Sequence, residues 1–195
     1  MMTAAAPRKE GKTDAMTDAI KDAIEHLTET IRKTPQFSSS VFRASSYSDT
    51  VDFTTRSEIR GFSVPMDEPR ELGGNDTAPN PVEMLLAALG SCQEIVYRAF
   101  AAVLGIEILR IEVHAKGYLD LRGFLNLAEV PAGFTGVTYT TRIVSTEPTE
   151  RIRQLTELVE RHCPVYDTLR RPIEIKGKVE VARPGGQVEL VTSME

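Results

Sequence analysis

Tryptophan is absent from this chain of 195 residues, and cysteine occurs only twice. So few cysteines over this length do not make the stapled framework of a small secreted domain, so a buried apolar core has to hold the fold. Positive charge is not in excess: 23 Lys and Arg against 28 Asp and Glu leave a net charge of -5. That balance excludes sequence-independent attraction to nucleic acid. No apolar run reaches the roughly 20 residues that a membrane-spanning helix needs. The N-terminal stretch Met1 to Glu10 is polar beyond Ala6 and lacks the pattern of a secretory leader. The expectation is a cytoplasmic protein with neither a membrane nor a nucleic-acid partner. In that setting a cysteine pair is catalytic, metal-binding or inert.

What is present reads as an ordered body with two loose ends. Residues 1–12 are expected to be disordered. Residues 13–34 form an amphipathic helix, because Met16, Ala19, Ile20, Ala23, Ile24, Leu27 and Ile31 recur at three and four, and Pro35 ends it. Ser39–Ser48, Thr50–Ser57 and Glu58–Val64 read as strands rich in Ser, Thr, Val and Phe, with Pro65 stopping the run. A loop punctuated by Gly73, Gly74 and Pro79 follows. Asn80, Pro81 and Glu83 are the start signals of a helix, with Glu83 as the reciprocal cap, and Gly105 is placed to end it. Met84 to Leu89 is apolar on every side, which predicts a buried central helix.

Ile106–Leu121 and Val137–Val144 alternate as strands, separated by a loop over Arg122–Gly136. Glu150–His162 is a helix that Thr149 could cap, and Ile173 to Val181 makes a last strand. The tail 183–195 reads as loose. The charged residues Glu150, Arg151, Arg153, Glu157, Glu160 and Arg161 are most simply a solvated, ion-paired helix face. Strands in runs separated by helices predict an α+β fold.

A thiol attacks as its thiolate, so the question for each cysteine is what would favour the anion. Cys92 lies about three turns into its helix, beyond the reach of the N-terminal dipole, so a nucleophilic Cys92 needs a cation from elsewhere. Cys163 closes the helix 150–162 and is followed by Pro164; a helix C-terminus disfavours an anion. Cys92 is therefore the better attacking thiol and Cys163 the better resolving one. The alternative is that both fill space in the core, as free cysteines often do. His26, His114 and His162 are too scattered for a zinc site, His26 falls on the solvent face of its helix, and no metal or other cofactor is expected.

Around these cysteines the sequence resembles the OsmC/Ohr family. The likeness rests on Pro69-Arg70-Glu71-Leu72-Gly73-Gly74, on Asn80-Pro81 leading through Leu85-Leu86-Ala87-Ala88 to Cys92, and on Cys163-Pro164-Val165. It is closest to a less characterised branch with segments like Arg122-Gly123-Phe124-Leu125 and Pro164-Val165-Tyr166-Asp167-Thr168, and it covers residues 38–182. The resemblance implies an OsmC-like fold, with antiparallel sheets around the central helix in an intertwined homodimer. It implies reduction of organic or inorganic hydroperoxides, with Cys92 attacking the peroxide, Cys163 resolving, and an external dithiol restoring the pair.

The chain departs from the peroxidase pattern at Val82, where such members carry a glutamate; Glu83 is next along but about 100° further round the helix. The glycine-flanked arginine signature is also missing. Arg43, Arg56, Arg60 and Arg122 are the candidate activating cations. These departures leave open a catalytically weak or inactive dimer of the same fold that binds a small apolar ligand. A further reading gives the N-terminal helix a partner-docking role through its Met16–Ile31 stripe.

Overall fold

The computed structural model describes residues 10–48 and 51–194, so residues 1–9, most of the segment expected to be disordered, lie outside the described residues. The first helix, α1, spans Glu10–Lys33 and therefore starts three residues earlier than its apolar periodicity suggests. It packs on the central helix. Ile20, Ile24 and Ile31 are partly shielded, while Met16 and Leu27 stay 61% and 55% exposed, so only part of the expected stripe is covered.

A three-stranded antiparallel sheet follows, made of β1 (Ser45–Tyr47), β2 (Thr55–Ile59) and β3 (Phe62–Met66). Its strand break differs from the sequence reading. The turn falls at Arg60-Gly61, with Arg60 at φ 59°, so Glu58 and Ile59 belong to the strand before it. Pro65 does not end β3 but sits inside it, opposite Arg56. β3 is an outer strand, where a residue without an N–H donor is tolerated.

The central helix α2 runs Pro81–Leu104, with the ends expected from its sequence signals. Asn80 Oδ1 accepts the Glu83 N–H at 2.8 Å, and Glu83 Oε2 accepts the Asn80 N–H at 2.9 Å. Such a reciprocal cap stabilises a helix start by about 1 kcal/mol. Gly105 closes the helix at φ 60°, a left-handed conformation that a Cβ would strain. Leu89, Gln93, Tyr97 and Ala101 form the buried stripe. The opposite side is open, with Ile95 68% exposed, so within one chain α2 is covered on one face rather than all round.

β4 (Arg110–Leu119) and β5 (Phe134–Val144) make an antiparallel ribbon against α2, with a bulge at Tyr118/Leu119. Between them Leu121–Phe124 forms a short helix, α3, where the sequence suggested the last residue of a strand and the start of a loop. α4 spans Thr149–His162; Pro148 occupies the cap position and Thr149 is the first helical residue, so Thr149 is not the cap. The core lies where α2, α4 and the ribbon meet: Tyr97, Ala101, Ile106, Ile108, Leu155 and Val159, with Phe100, Ile111 and Ile143 packed against them. Full burial of a Leu or Val side chain stabilises by about 1.5–3 kcal/mol each, so this cluster is what holds α2 and α4 together.

Beyond α4 the chain differs from the sequence reading in two places. Pro164–Arg170 forms a helix, α5, immediately after Cys163. The C-terminal segment is not loose, because β6 (Gly177–Ala182) pairs with β7 (Val188–Met194) across a Pro184-Gly185-Gly186 turn. No helix among the described residues is long and apolar enough to cross a membrane.

Candidate active site

Helix α2 packs against both α4 and α5, and this junction carries the two cysteines. Cys92 lies on the stripe Leu85, Leu89, Cys92, Val96, which recurs at four and three along α2. Cys163 is the joint between α4 and α5. Its N–H donates to Val159 O at 2.8 Å, and its C=O accepts from the Asp167 N–H at 2.9 Å, so its backbone belongs to both helices. Cys163 is wholly buried, Cys92 partly so, and both are free thiols.

The two side chains lie close enough to interact. Burial is the main influence on Cys163 and pushes its thiol up. The amides of Tyr166 and Val165, at the start of α5, act the other way without closing a capping hydrogen bond. Cys92 adds to the upward shift twice, as hydrogen-bonding partner and through its charge. The joint therefore favours the protonated form of Cys163. The sequence placed it at a helix C-terminus; it stands equally at the N-terminus of the next helix, and burial still prevails.

Beside the pair opens a cleft of about 510 Å³. Leu85 and Leu89 of α2, Phe134, Val137 and Tyr139 of β5, and Tyr166, Leu169 and Arg170 of α5 line it. Tyr139 meets Tyr166 edge-on at 6.0 Å between ring centroids. The Tyr139 hydroxyl donates to Glu160 Oε1 at 3.0 Å, and burial first, with Glu160 adding to it, pushes its pKa up to about 12. Behind it the wholly buried Gln93, next to Cys92, accepts from Thr141 Oγ1 at 3.4 Å. Gln93 also faces the Tyr139 hydroxyl, which favours the phenolate, but its Nε2 closes no well-formed hydrogen bond.

A second cavity, of about 620 Å³, lies on the other side of Phe134. Val82, Leu86, Leu119, Leu121 and Phe124 line it, with Glu83 and Lys116 at polar positions. The loop that leads into α2 forms one wall and is held by Asp67, which is 1% exposed. Its Oδ2 accepts from Thr77 Oγ1 at 2.8 Å and from Thr77 N–H at 3.1 Å, and its Oδ1 accepts from the Glu68 N–H at 2.8 Å. Chiefly the Thr77 hydroxyl bond, then the amides, hold this carboxylate below its ordinary range against the cost of burial.

The remaining candidates are engaged locally. Glu83 serves as the reciprocal cap of α2. Arg122 is held by Asp120 through Nε to Oδ1 at 3.0 Å and Nη2 to Oδ2 at 2.6 Å, and this guanidinium brings the Asp120 pKa down to about 2. Arg56 pairs with Glu58 at 2.9 Å and lies over the Tyr47 ring, and Arg60 lies over Phe62. Arg43 precedes β1, is exposed and makes no ion pair among the described residues. The α4 face is ion-paired at Arg153, as expected, but Glu160 turns to Tyr139 and Arg151 reaches Glu147 at 2.6 Å. His26 is exposed, and no cluster of metal-binding side chains occurs among the described residues.

Arg170, Tyr166 and Tyr139 escaped the sequence reading. The available signal was Pro164: a proline in the first turn, then no further proline until Pro172, marks a helix that would put Tyr166 and Arg170 on one face.

A dithiol protein is what the fold and site define: two free thiols close enough to interact at an apolar cleft on an α+β body. The chain belongs to the OsmC-like protein family, whose model matches residues 73–178, more than half of its length. Solved structures share the fold. An OsmC-like protein from Mycoplasma pneumoniae is 17% identical at a TM-score of 0.56, covering 67% of this chain and 88% of that one. An organic hydroperoxide resistance protein OsmC from Legionella pneumophila is 22% identical at 0.53, covering 67% and 90%. A putative organic hydroperoxide resistance protein from Vibrio cholerae, with captopril bound in one of its active sites, is 19% identical at 0.51, covering 71% and 91%. No curated protein matches the chain in sequence.

Proposed function

We propose that the protein is a cofactor-independent, cysteine-based peroxidase that reduces organic or inorganic hydroperoxides in cytoplasmic defence against oxidative stress. The observation that carries this reading is the Cys92–Cys163 pair, close enough to interact beside an apolar cleft in a chain of the OsmC-like family.

In this scheme the Cys92 thiolate attacks the distal oxygen of the hydroperoxide. The O–O bond breaks, the departing alkoxide takes a proton and leaves as an alcohol (or water), and Cys92 becomes a sulfenic acid. The protonated Cys163 then condenses with it, releasing water and leaving a Cys92–Cys163 disulfide. An external dithiol reduces that bond by exchange and becomes the disulfide itself. Burial and Cys92 both keep the proton on Cys163, which supports the resolving role.

The working form is a homodimer in this reading. β1–β3 pack chiefly on one another and make no substantial contact with the helices of their own chain, while Phe42 and Phe62 are 94% and 62% exposed. The open face of α2 is the other uncovered surface. A second copy laid across both would bury them, and would carry Arg43, Arg56 and Arg60 with its sheet.

Replacing Cys92 by serine tests the mechanism. Hydroperoxide consumption should fall to background, and mass spectrometry of the wild type after one equivalent of peroxide should show the Cys92–Cys163 disulfide. Unchanged consumption by C92S would end the proposal. The cavity of about 620 Å³, bordered by Val82 in place of the glutamate, favours a second reading as a binding protein for a small apolar ligand. Ligand binding by C92S without any wild-type peroxidase activity would establish that reading instead.

A further inference from the structure

The cleft beside the cysteine pair is apolar along its body, and Arg170 is the charged residue in its lining. This guanidinium lies over the Tyr166 ring at 5.4 Å and pairs with no carboxylate among the described residues. No Asp or Glu lines the cleft, and the nearby Glu160 is engaged by the Tyr139 hydroxyl. An arginine stacked on an aromatic face keeps its planar fork of donors free at the edge, a geometry that suits a carboxylate.

Position adds a second constraint. Cys163 and Arg170 stand at opposite ends of α5. Seven residues at 1.5 Å of rise separate them by roughly 10 Å along the helix axis. Between them lie Tyr166 and Leu169, faced by Phe134 and Tyr139. The cleft of about 510 Å³ falls in the usual range for small-molecule sites.

We infer that Arg170 is the specificity-determining residue of this cleft: it seats the acidic end of an aryl or alkyl carboxylic acid whose apolar body runs along α5 toward the cysteine pair. The inference rests on the peroxidase reading for its chemistry and narrows it. The preferred hydroperoxide carries a carboxylate at the far end of its apolar body from the O–O bond. A neutral hydroperoxide of the same body would be held by the apolar lining alone.

Non-peroxidic probes keep this test apart from the thiol chemistry. Isothermal titration calorimetry would compare 4-phenylbutyrate with 4-phenylbutanol on the wild-type protein, R170Q and R170K. The carboxylate should bind the wild type about tenfold more tightly than the alcohol, the low end of what a charge-assisted hydrogen bond supplies at an exposed guanidinium. R170Q should lose that preference while keeping its alcohol affinity, and R170K should retain part of it. Equal wild-type affinities, no binding by either probe, or equal weakening of both in R170Q would overturn the assignment. Failure of C92S to abolish peroxidase activity would bear only on the mechanism.

Discussion

Alanine at position 117 should move the wall between the two cavities. A Cβ built on Gly117 stands 2.3 Å from Phe134 Cε1 and 2.7 Å from both Cδ1 and Cζ. Carbon atoms in contact need about 3.5 Å, so the ring must retreat by about 1 Å or the strands must part. The ring is what yields, because Phe134 is half-buried and borders open space on both sides, whereas Gly117 is held in the β4–β5 ladder opposite Val137. Forcing extra volume into packed structure costs about 1–3 kcal/mol, and the freedom of the ring puts G117A near 1 kcal/mol. Urea unfolding followed by circular dichroism would read this as a lower midpoint at unchanged slope. Binding of 4-phenylbutanol should weaken severalfold, since the displaced ring intrudes on the cleft or exposes its wall. A double-mutant cycle with F134L isolates the contact: the shorter side chain should relieve most of the G117A cost. Wild-type stability and binding in G117A, or a cost that F134L leaves untouched, would refute the reasoning.

Leu155 is wholly buried in the α2–α4 core, so L155A should cost about 3 kcal/mol and lower the melting temperature by about 6–12 °C; calorimetry showing a loss under about 1 kcal/mol would contradict the packing described. The Asp67 carboxylate is favoured by folding, so its contribution is present above the ordinary carboxylate value near 3.9 and fades as pH falls through the lower folded value. In D67N that acid-side dependence should flatten, and the Thr77 amide should exchange faster with deuterium. In C92S, alkylation of Cys163 by iodoacetamide should titrate above the ordinary thiol value of about 8.5, because burial remains its largest influence. Native stability should decline as pH rises from that value toward the folded one, and a titration below it would show that the thiol is not shielded as described.

The parts of the molecule legible in the sequence are those dictated by local chemistry. Asn80, Pro81, Glu83 and Gly105 mark both ends of α2 because caps are satisfied within one turn, whatever the rest of the chain does. The inward face of β5, Val137, Tyr139, Thr141 and Ile143, follows from alternation alone. Pro65 and Pro164 were less transparent, since a proline that looks like a stop is tolerated on an outer strand and welcome in the first turn of a helix. What no local pattern could reveal was assembly across the fold: Glu160 of α4 meeting Tyr139 of β5, or Arg170 of α5 lining one cleft with Leu85 of α2 and Phe134 of β5. Of the C-terminal hairpin only the first strand was legible, from the alternation of Val179 and Val181, whereas β7 lies beyond the residues that the family likeness covers.

Cys163 spends its amide on one helix and its carbonyl on the next, which leaves no slack at that point in the chain. Adding or deleting a single residue there would turn everything downstream by about 100°, sweeping Tyr166 and Arg170 away from the sulfurs. Natural variants of this protein should therefore keep an invariant count from Val159 to Arg170.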